Sequence, residues 1–232
     1  MHSVEADFDR LALLDEEGWT SNNYYHDFVL KHVPRGCEEA LEIGCGTGAF
    51  ARELAKRCKQ VVAIDLSAEM IKIARSRSSE FSNLEFHLAD VMMWDFPRAR
   101  FDFITSIATL HHLEQRELLM KINDALRPGG VLVVVDLVQS DGLVERAFDV
   151  VGLGVSASLR LIHNGRLQPP AAVRKAWEQH GKHDIYLTIN QIRTLAGEIL
   201  PGADVRRHLL WRYSLVYQKG RQKGAAEVSS RE

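Results

Sequence analysis

Short, continuously apolar runs alternate along the first 137 residues with stretches whose apolar positions recur every three or four residues. The runs are "EALEI", "VVAID", "LEFHLAD", "FDFITSI" and "GGVLVVVDL", each of strand length. Between them lie helical patterns: "GAFARELAKRC", "SAEMIKIARSRS" with Ser67 placed as its N-cap, and a segment opened by polar residues around Gln115 and running to Leu126. Strands without polar alternation, separated by helices, predict an α/β fold with a parallel sheet covered on both faces. Ahead of them, Val4, Phe8, Leu11 and Leu14 have helical spacing over 4–14. The Asn pair in "WTSNNYYHDFVLKHV" predicts a cap and a second helix, stopped by Pro34.

After Leu137 the rhythm breaks. Residues 138–187 hold Gly152, Gly154, Gly165, Pro169 and Pro170 among helical apolar patches, which predicts an insertion built over the sheet rather than a second domain. Thr188 then caps "INQIRTLAGEIL", Pro201-Gly202 turns the chain, and "DVRRHLLW" and "YSLVYQ" predict two antiparallel strands. The expected organisation is a helical segment over 1–35, an α/β domain over 36–219 and a polar, disordered tail over 220–232.

Composition narrows the function classes. Hydrophobic residues make up 46% and charged residues 26% of 232, with a net charge of −2, so nothing global favours a nucleic-acid partner. The basic groups at Arg206-Arg207-His208 and Lys219–Lys223 are small enough to be solvated surface. Three cysteines, Cys37, Cys45 and Cys58, without paired spacing, argue against a disulfide framework or a zinc site. No apolar run reaches the roughly 18 residues of a membrane span, and the acidic N-terminal stretch does not read as a secretion signal, so a cytoplasmic location is expected.

The chemistry concentrates in "ALEIGCGTGAF", residues 40–50, where a strand carrying Glu42 meets Gly44, Gly46 and Gly48 at the start of a helix. Such a turn at the carboxyl edge of an open sheet is a ligand site. The Gly-Lys-Ser/Thr ending of a P-loop is absent. A dinucleotide fingerprint is formally present: Gly44, Gly46 and Ala49 fit G-x-G-x-x-G/A, and Asp65 follows Gly46 by 19 residues. Glu42 weighs against it. A pyrophosphate about 5 Å from that carboxylate, at an effective dielectric of about 20, would be repelled by roughly 3 kcal/mol. A nucleoside bearing an ammonium and a sulfonium but no phosphate suits both the acid and the glycines. S-adenosylmethionine is such a ligand.

At this point the chain resembles the class I S-adenosylmethionine-dependent methyltransferases, within them the small bacterial type 11-like group. The likeness covers about residues 36–137 and the closing strand pair. "LEIGCGTG" resembles the family's first motif, E/D-x-G-x-G-x-G, and "VVAIDLS" the second, which implies Asp65, followed by Leu66, on the ribose hydroxyls. "LAD" followed by Val91 is similar to the third, implying Asp90 at the adenine amino group. "FDFITSIATLHHL" is similar to the fourth, with Ser106 and Ile107 running past the methionine part, and "ALRPGGVLVVVD" to the segment before and through the fifth strand. The resemblance also implies a Rossmann-like, doubly wound α/β fold, its seven-stranded sheet in the order 3-2-1-4-5-7-6 with the last strand antiparallel.

Each candidate has a plainer alternative. Glu42 could pair with Arg52, Asp65 could cap a helix, and Asp90 could be a loop acid. His111 and His112 are candidate general bases, since a histidine titrates near neutrality, or ordinary features of a strand exit. A metal site there is not expected, because adjacent rings should diverge and no third ligand is evident. In similar proteins the segment holding Trp19, Tyr24 and Tyr25 folds over the cofactor as a lid, where rings could line the acceptor pocket or simply pack. His163, Trp177, His180 and His183 in the insertion could shape that pocket. The expected reaction is in-line methyl transfer to a small-molecule acceptor, giving S-adenosylhomocysteine. Val150, Val151, Leu153, Leu159 and Leu161 hint that the acceptor is partly apolar. An NAD-dependent oxidoreductase and a non-catalytic cofactor-binding sensor are the alternatives. Oligomeric state is not legible.

Overall fold

The computed structural model describes residues 4–14, 18–181, 184 and 186–220. In chain order the elements are α1 (Val4–Ala12), a 3-10 turn (Asn23–Tyr25) running into α2 (His26–Leu30), β1 (Glu39–Ile43), α3 (Ala49–Ala55), β2 (Gln60–Asp65), α4 (Ala68–Arg77), β3 (Leu84–Leu88) and β4 (Phe101–Ile107). A second 3-10 turn (Leu110–His112) leads to α5 (Gln115–Ala125), β5 (Leu126–Leu137), α6 (Leu143–Asn164), α7 (Ala171–His180), α8 (Ile189–Ile199), β6 (Asp204–Arg207) and β7 (Arg212–Gln218).

The seven strands form one sheet in the order β3-β2-β1-β4-β5-β7-β6. The first five in that order pair parallel, and β7 runs antiparallel to both β5 and β6. The resemblance implied this order and orientation, and both are present. The chain reverses its direction of winding between β1 and β4, which opens a crevice at the carboxyl ends of these strands.

Period-2 side-chain alternation divides the sheet's apolar residues between two cores. Leu41, Ile43, Ile104, Leu132 and Val134 pack with Leu118 and Ile122 of α5 and Ile192 and Ala196 of α8. Ala40, Val61, Phe103, Val133 and Val135 pack on the other face with Val29 and Leu30 of α2 and Phe50 and Leu54 of α3. Ser67 caps α4 by accepting from the Met70 amide, and Thr188 forms a reciprocal capping box with Gln191 at α8, both as the sequence indicates.

Helix α3 ends at Ala55 and β3 at Leu88, short of the expected Cys58 and Asp90, and three further boundaries differ from the sequence expectation. Helix α1 ends at Ala12 because Leu14 bonds the carbonyl of Leu11, tightening the last turn, and Leu13 is left exposed. Strand β6 stops at Arg207 rather than Trp211. Leu210 and Trp211 both adopt φ of 56°, a left-handed corner that buries Leu210 in the second core, so the apolar run "HLLW" is a packed turn. Lastly, α5 ends at Ala125 and Leu126 opens β5.

The expected insertion contains α6 and α7, and α7 packs against α1. No described helix is long and apolar enough to cross a membrane. The tail that the sequence marks as disordered falls, apart from Gly220, outside the described residues.

Two substitutions of different size check this account by urea unfolding. Phe103→Ala, at the fully buried centre of β4, should cost about 3–5 kcal/mol. Thr188→Ala, which removes the α8 cap, should cost about 1 kcal/mol.

Candidate active site

Strands β1 and β2 end side by side, with Ile43 opposite Ile64, and the Ile64 carbonyl accepts from both the Gly44 and Cys45 amides at 2.8 and 3.0 Å. The chain then turns through Gly44, Gly46 and Gly48 at φ of 73°, 51° and 76°. Glycine is also needed for space. A Cβ on Gly44 would lie 2.0 Å from Thr109 Oγ1, and one on Gly48 would lie 2.8 Å from the Phe86 ring. Asp65 closes the turn: Oδ2 accepts from the Gly46 amide at 2.7 Å and Oδ1 from the Ser67 amide at 2.9 Å. Burial raises its pKa, and these amide bonds oppose the shift.

Glu42 projects beside this turn and is buried, with Oε2 lacking a hydrogen-bond partner. Its pKa is pushed well above the ordinary value, first by burial and then by Asp65, with Arg52 opposing. The repulsion expected toward a pyrophosphate requires the ionised form, and burial without a counter-ion favours the neutral one. A cationic ligand would restore the charge. Cys45 is buried and its thiol pKa is raised, chiefly by burial, so it is a small turn residue rather than a reactive thiol.

The parallel register brings the remaining cofactor candidates to the same sheet edge. Ser106 lies opposite Ile43 and donates its hydroxyl to the Ile43 carbonyl at 2.9 Å, with Ile107 buried next to it. Leu66 is exposed after Asp65. Asp90 is exposed just past β3, its Oδ1 accepting from the Met92 amide at 2.8 Å, and Val91 belongs to the core.

Leaving β4, the chain passes through Ala108 at φ of 55°, which sets Thr109 over Gly44. The Thr109 carbonyl accepts from the His112 amide at 3.1 Å. This links the glycine turn to a cavity of about 730 Å³ lined by Val4, Asp7, His111, His112, His180 and Asp184, among others. His111 Nδ1 lies 2.6 Å from Asp136 Oδ1, and its amide donates to Asp136 Oδ2. His112 Nδ1 lies 3.3 Å from Asp184 Oδ1, and its Nε2 lies 3.3 Å from His180 Nε2. Burial, followed by the neighbouring His111, lowers the pKa of His112 to about 4, with Asp184 opposing.

The expectation that these histidines diverge without a third ligand does not hold. The 3-10 turn brings their ring centroids to 3.8 Å, tilted by 49°, and donor atoms of His111, His112 and Asp184 lie within 4.8 Å of one another. Asp7, Thr109, Asp136 and Asp184 were not singled out in the sequence. Asp136 had a signal, a carboxylate ending an apolar strand as Asp65 does, whereas Asp7 and Asp184 had none.

The N-terminal segment approaches the site through α1 rather than through its aromatic rings. Asp9 accepts from the Ser67 hydroxyl at 2.5 Å and the Glu69 amide at 3.2 Å, and Phe8 meets His112 and His180 edge-on. Trp19 stacks on His163 and is bonded to Asn164 of α6. Tyr25 is buried, its hydroxyl donating to the Leu209 carbonyl, while Tyr24 is exposed. Trp177 lies edge-on to His180, and His183 falls outside the described residues. Val150, Val151, Leu153 and Leu161 are exposed on α6, so the apolar part of the cavity wall comes instead from Val4, Leu113 and Leu187.

Two measurements test this geometry. Gly48→Ala should lower the unfolding midpoint, because a left-handed backbone and the Phe86 ring both oppose a methyl group there. Two buried histidines should also lose their contribution to stability in mild acid. His26 and His112 both have pKa values lowered to about 4 from 6.5, chiefly by burial. The unfolded chain therefore takes up protons first as pH drops between those values. The contribution is fully present above 6.5 and is lost toward 4. Glu42 and Asp65, with raised pKa values, act in the opposite sense, so the check is a comparison: between neutrality and about pH 5 the thermal midpoint of His26→Gln should change less in the destabilising direction than that of the wild type.

Comparison with known proteins fits this arrangement. A family model described as a methyltransferase domain matches residues 40–130. An uncharacterized methyltransferase of Mycobacterium tuberculosis is 30% identical over 207 residues, covering 88% of this chain and 98% of the relative. An O-methyltransferase of Penicillium expansum is 38% identical over 110 residues, covering 45% of this chain and 40% of its own. The crystal structure of the N-methyltransferase NodS from Bradyrhizobium japonicum, in complex with S-adenosylhomocysteine, superposes with a TM-score of 0.65 at 18% identity, covering 94% of this chain and 99% of that one. From the near end-to-end match to the mycobacterial relative, the methyltransferase-domain match and the fold shared with the solved structure, the chain belongs to the class I S-adenosylmethionine-dependent methyltransferases.

Proposed function

We propose that this enzyme transfers a methyl group from S-adenosylmethionine to a small molecule held in the cavity beside His111 and His112. One observation carries the cofactor half of the reading. A buried carboxyl oxygen, Glu42 Oε2, stands without a partner beside a glycine turn that has no room for a Cβ at Gly44 or Gly48. The amino-acid end of the cofactor offers the cation that such a group lacks. Bound there, S-adenosylmethionine supplies a methyl carbon made electrophilic by the neighbouring sulfonium.

The chain's own residues divide the remaining work. Glu42 holds the ammonium, directly or through water. Gly44, Gly46 and Gly48 let the backbone approach the ligand, and Asp65 and Leu66 flank the ribose. Asp90 and Val91 border the adenine, while Ser106 and Ile107 run past the methionine part. Helix α1, tied by Asp9 to the start of α4, acts as a lid that keeps water from the site. Trp19 and the Tyr24-Tyr25 pair steady that lid from α6 and the β6–β7 corner.

On the acceptor side, Thr109 couples the turn to the cavity, so the acceptor atom can be lined up behind the methyl carbon. Asp136 on Nδ1 fixes the His111 tautomer and leaves Nε2 to take the proton that the acceptor releases. His112 lies against it and limits how that ring can turn. The cavity wall carries Asp7, Glu114 and Asp184 beside Val4, Leu113 and Leu187, which suits a neutral or cationic acceptor with an apolar portion rather than a carboxylate.

Thermal unfolding with S-adenosylmethionine, S-adenosylhomocysteine and NAD tests the cofactor. A ligand at about 100 times its Kd adds about 2.7 kcal/mol, or roughly 5–10 °C at this chain length. The first two should shift the midpoint and NAD should not. Glu42→Gln, which keeps the shape and removes the charge, should weaken S-adenosylmethionine about tenfold. Unchanged affinity would remove Glu42 from the site. Release of S-adenosylhomocysteine with a panel of neutral and cationic acceptors then separates an enzyme from a sensor.

A further inference from the structure

We infer that His111, His112 and Asp184 form a binding site for a divalent first-row transition-metal ion in the wall of the acceptor cavity. Two histidines and one carboxylate are a donor set suited to zinc, iron, cobalt or manganese, with coordination positions left for other ligands. The donor atoms lie within 4.8 Å of one another, and the three side chains are 5%, 6% and 7% exposed. The 3.3 Å between His112 Nδ1 and Asp184 Oδ1 is close to the separation of about 3.3 Å that two ligands about 2.0–2.1 Å from a tetrahedral ion must have.

Hydrogen bonding around the triad points the same way. Asp136 takes the Nδ1 proton of His111, so the ring's lone pair is on Nε2. Asp7 lies 3.4 Å from His180 Nδ1, which puts the lone pair of that ring on Nε2, facing His112. His112 then donates from Nε2 to His180, and its own lone pair sits on Nδ1, toward Asp184. Asp184 accepts the Tyr186 hydroxyl on Oδ2 at 2.7 Å and presents Oδ1. With every outer bond made, a nitrogen lone pair and a carboxylate oxygen of the triad face each other across 3.3 Å. Each ligand has a partner on its far side that fixes its orientation, the arrangement typical of metal-binding histidines.

The site would join the 3-10 turn after β4 to the chain following α7. Through His180 and Asp7 it would also brace α1 over the cavity. Its meaning for catalysis rests on the proposed methyl transfer, because an ion on His111 Nε2 competes with the proton assigned to that nitrogen. Metal binding itself does not depend on that reading.

The test is cobalt titration of the whole chain after chelator treatment, without cofactor or acceptor, followed by visible absorption. A saturable band from a single ion of low coordination number should appear, be displaced by zinc and resist magnesium. Asp184→Asn and His112→Gln should each weaken cobalt about tenfold or more, whereas His163→Gln, on the outer stack with Trp19, should not. Circular dichroism identifies a variant that fails to fold, and Asp184→Asn, which keeps its shape, then decides. No visible band, or a band whose affinity is the same in Asp184→Asn, overturns the site. The S-adenosylmethionine midpoint shift, measured on the same stripped protein, reports separately on the cofactor reading.

Discussion

The contact on which the site depends is the one from the Gly46 amide to the Asp65 carboxylate, 2.7 Å long. It ties the turn after β1 to the end of β2, and it can form only because Gly44, Gly46 and Gly48 accept left-handed backbone angles. The same carboxylate holds the Ser67 amide, and Ser67 in turn caps α4 and meets Asp9 of α1. One short acid therefore sets the shape of the turn, the start of a helix and the docking of the N-terminal segment. Thr109 closes over Gly44 from the opposite strand, so the turn is held from both sides of the crevice.

A second theme is the placement of ionisable groups where water does not reach. Glu42 is buried without a hydrogen bond to one oxygen, and His111, His112, Asp136 and Asp184 are almost wholly enclosed. In a protein of ordinary composition such groups destabilise the fold unless something satisfies them. A cationic ligand at Glu42 would supply the missing partner there, whereas the histidines and carboxylates of the cluster pair with one another. The two places are neighbours along the chain exit from β4, which couples them mechanically through Ala108 and Thr109.

Much of this was legible in the sequence. The strands, the Ser67 and Thr188 caps and the glycine turn follow from local rules of period, capping and turn chemistry, and these act over a few residues. Glu42 and Asp65 stood out because carboxylates interrupt or end runs that are otherwise apolar. Where local rules erred, tertiary packing had overridden them. "HLLW" has a strand's composition, yet Leu210 is needed in the core beside Tyr25, and the chain adopts a left-handed corner to deliver it. The apolar residues of α6 suit a pocket by composition, but that helix leaves Val150, Val151, Leu153 and Leu161 exposed.

By itself, then, the sequence determined the alternating strands and helices, the ligand turn and the acids that flank it, because each is written in neighbouring residues. Its motifs, through family resemblance, also carried the sheet order and the cofactor. Only the tertiary structure decided what surrounds His111 and His112. Asp7, Asp136, and the His180–Asp184 pair reach them from three separate segments, and no spacing along the chain encodes a meeting that depends on how α1, β5 and α7 cross one sheet edge.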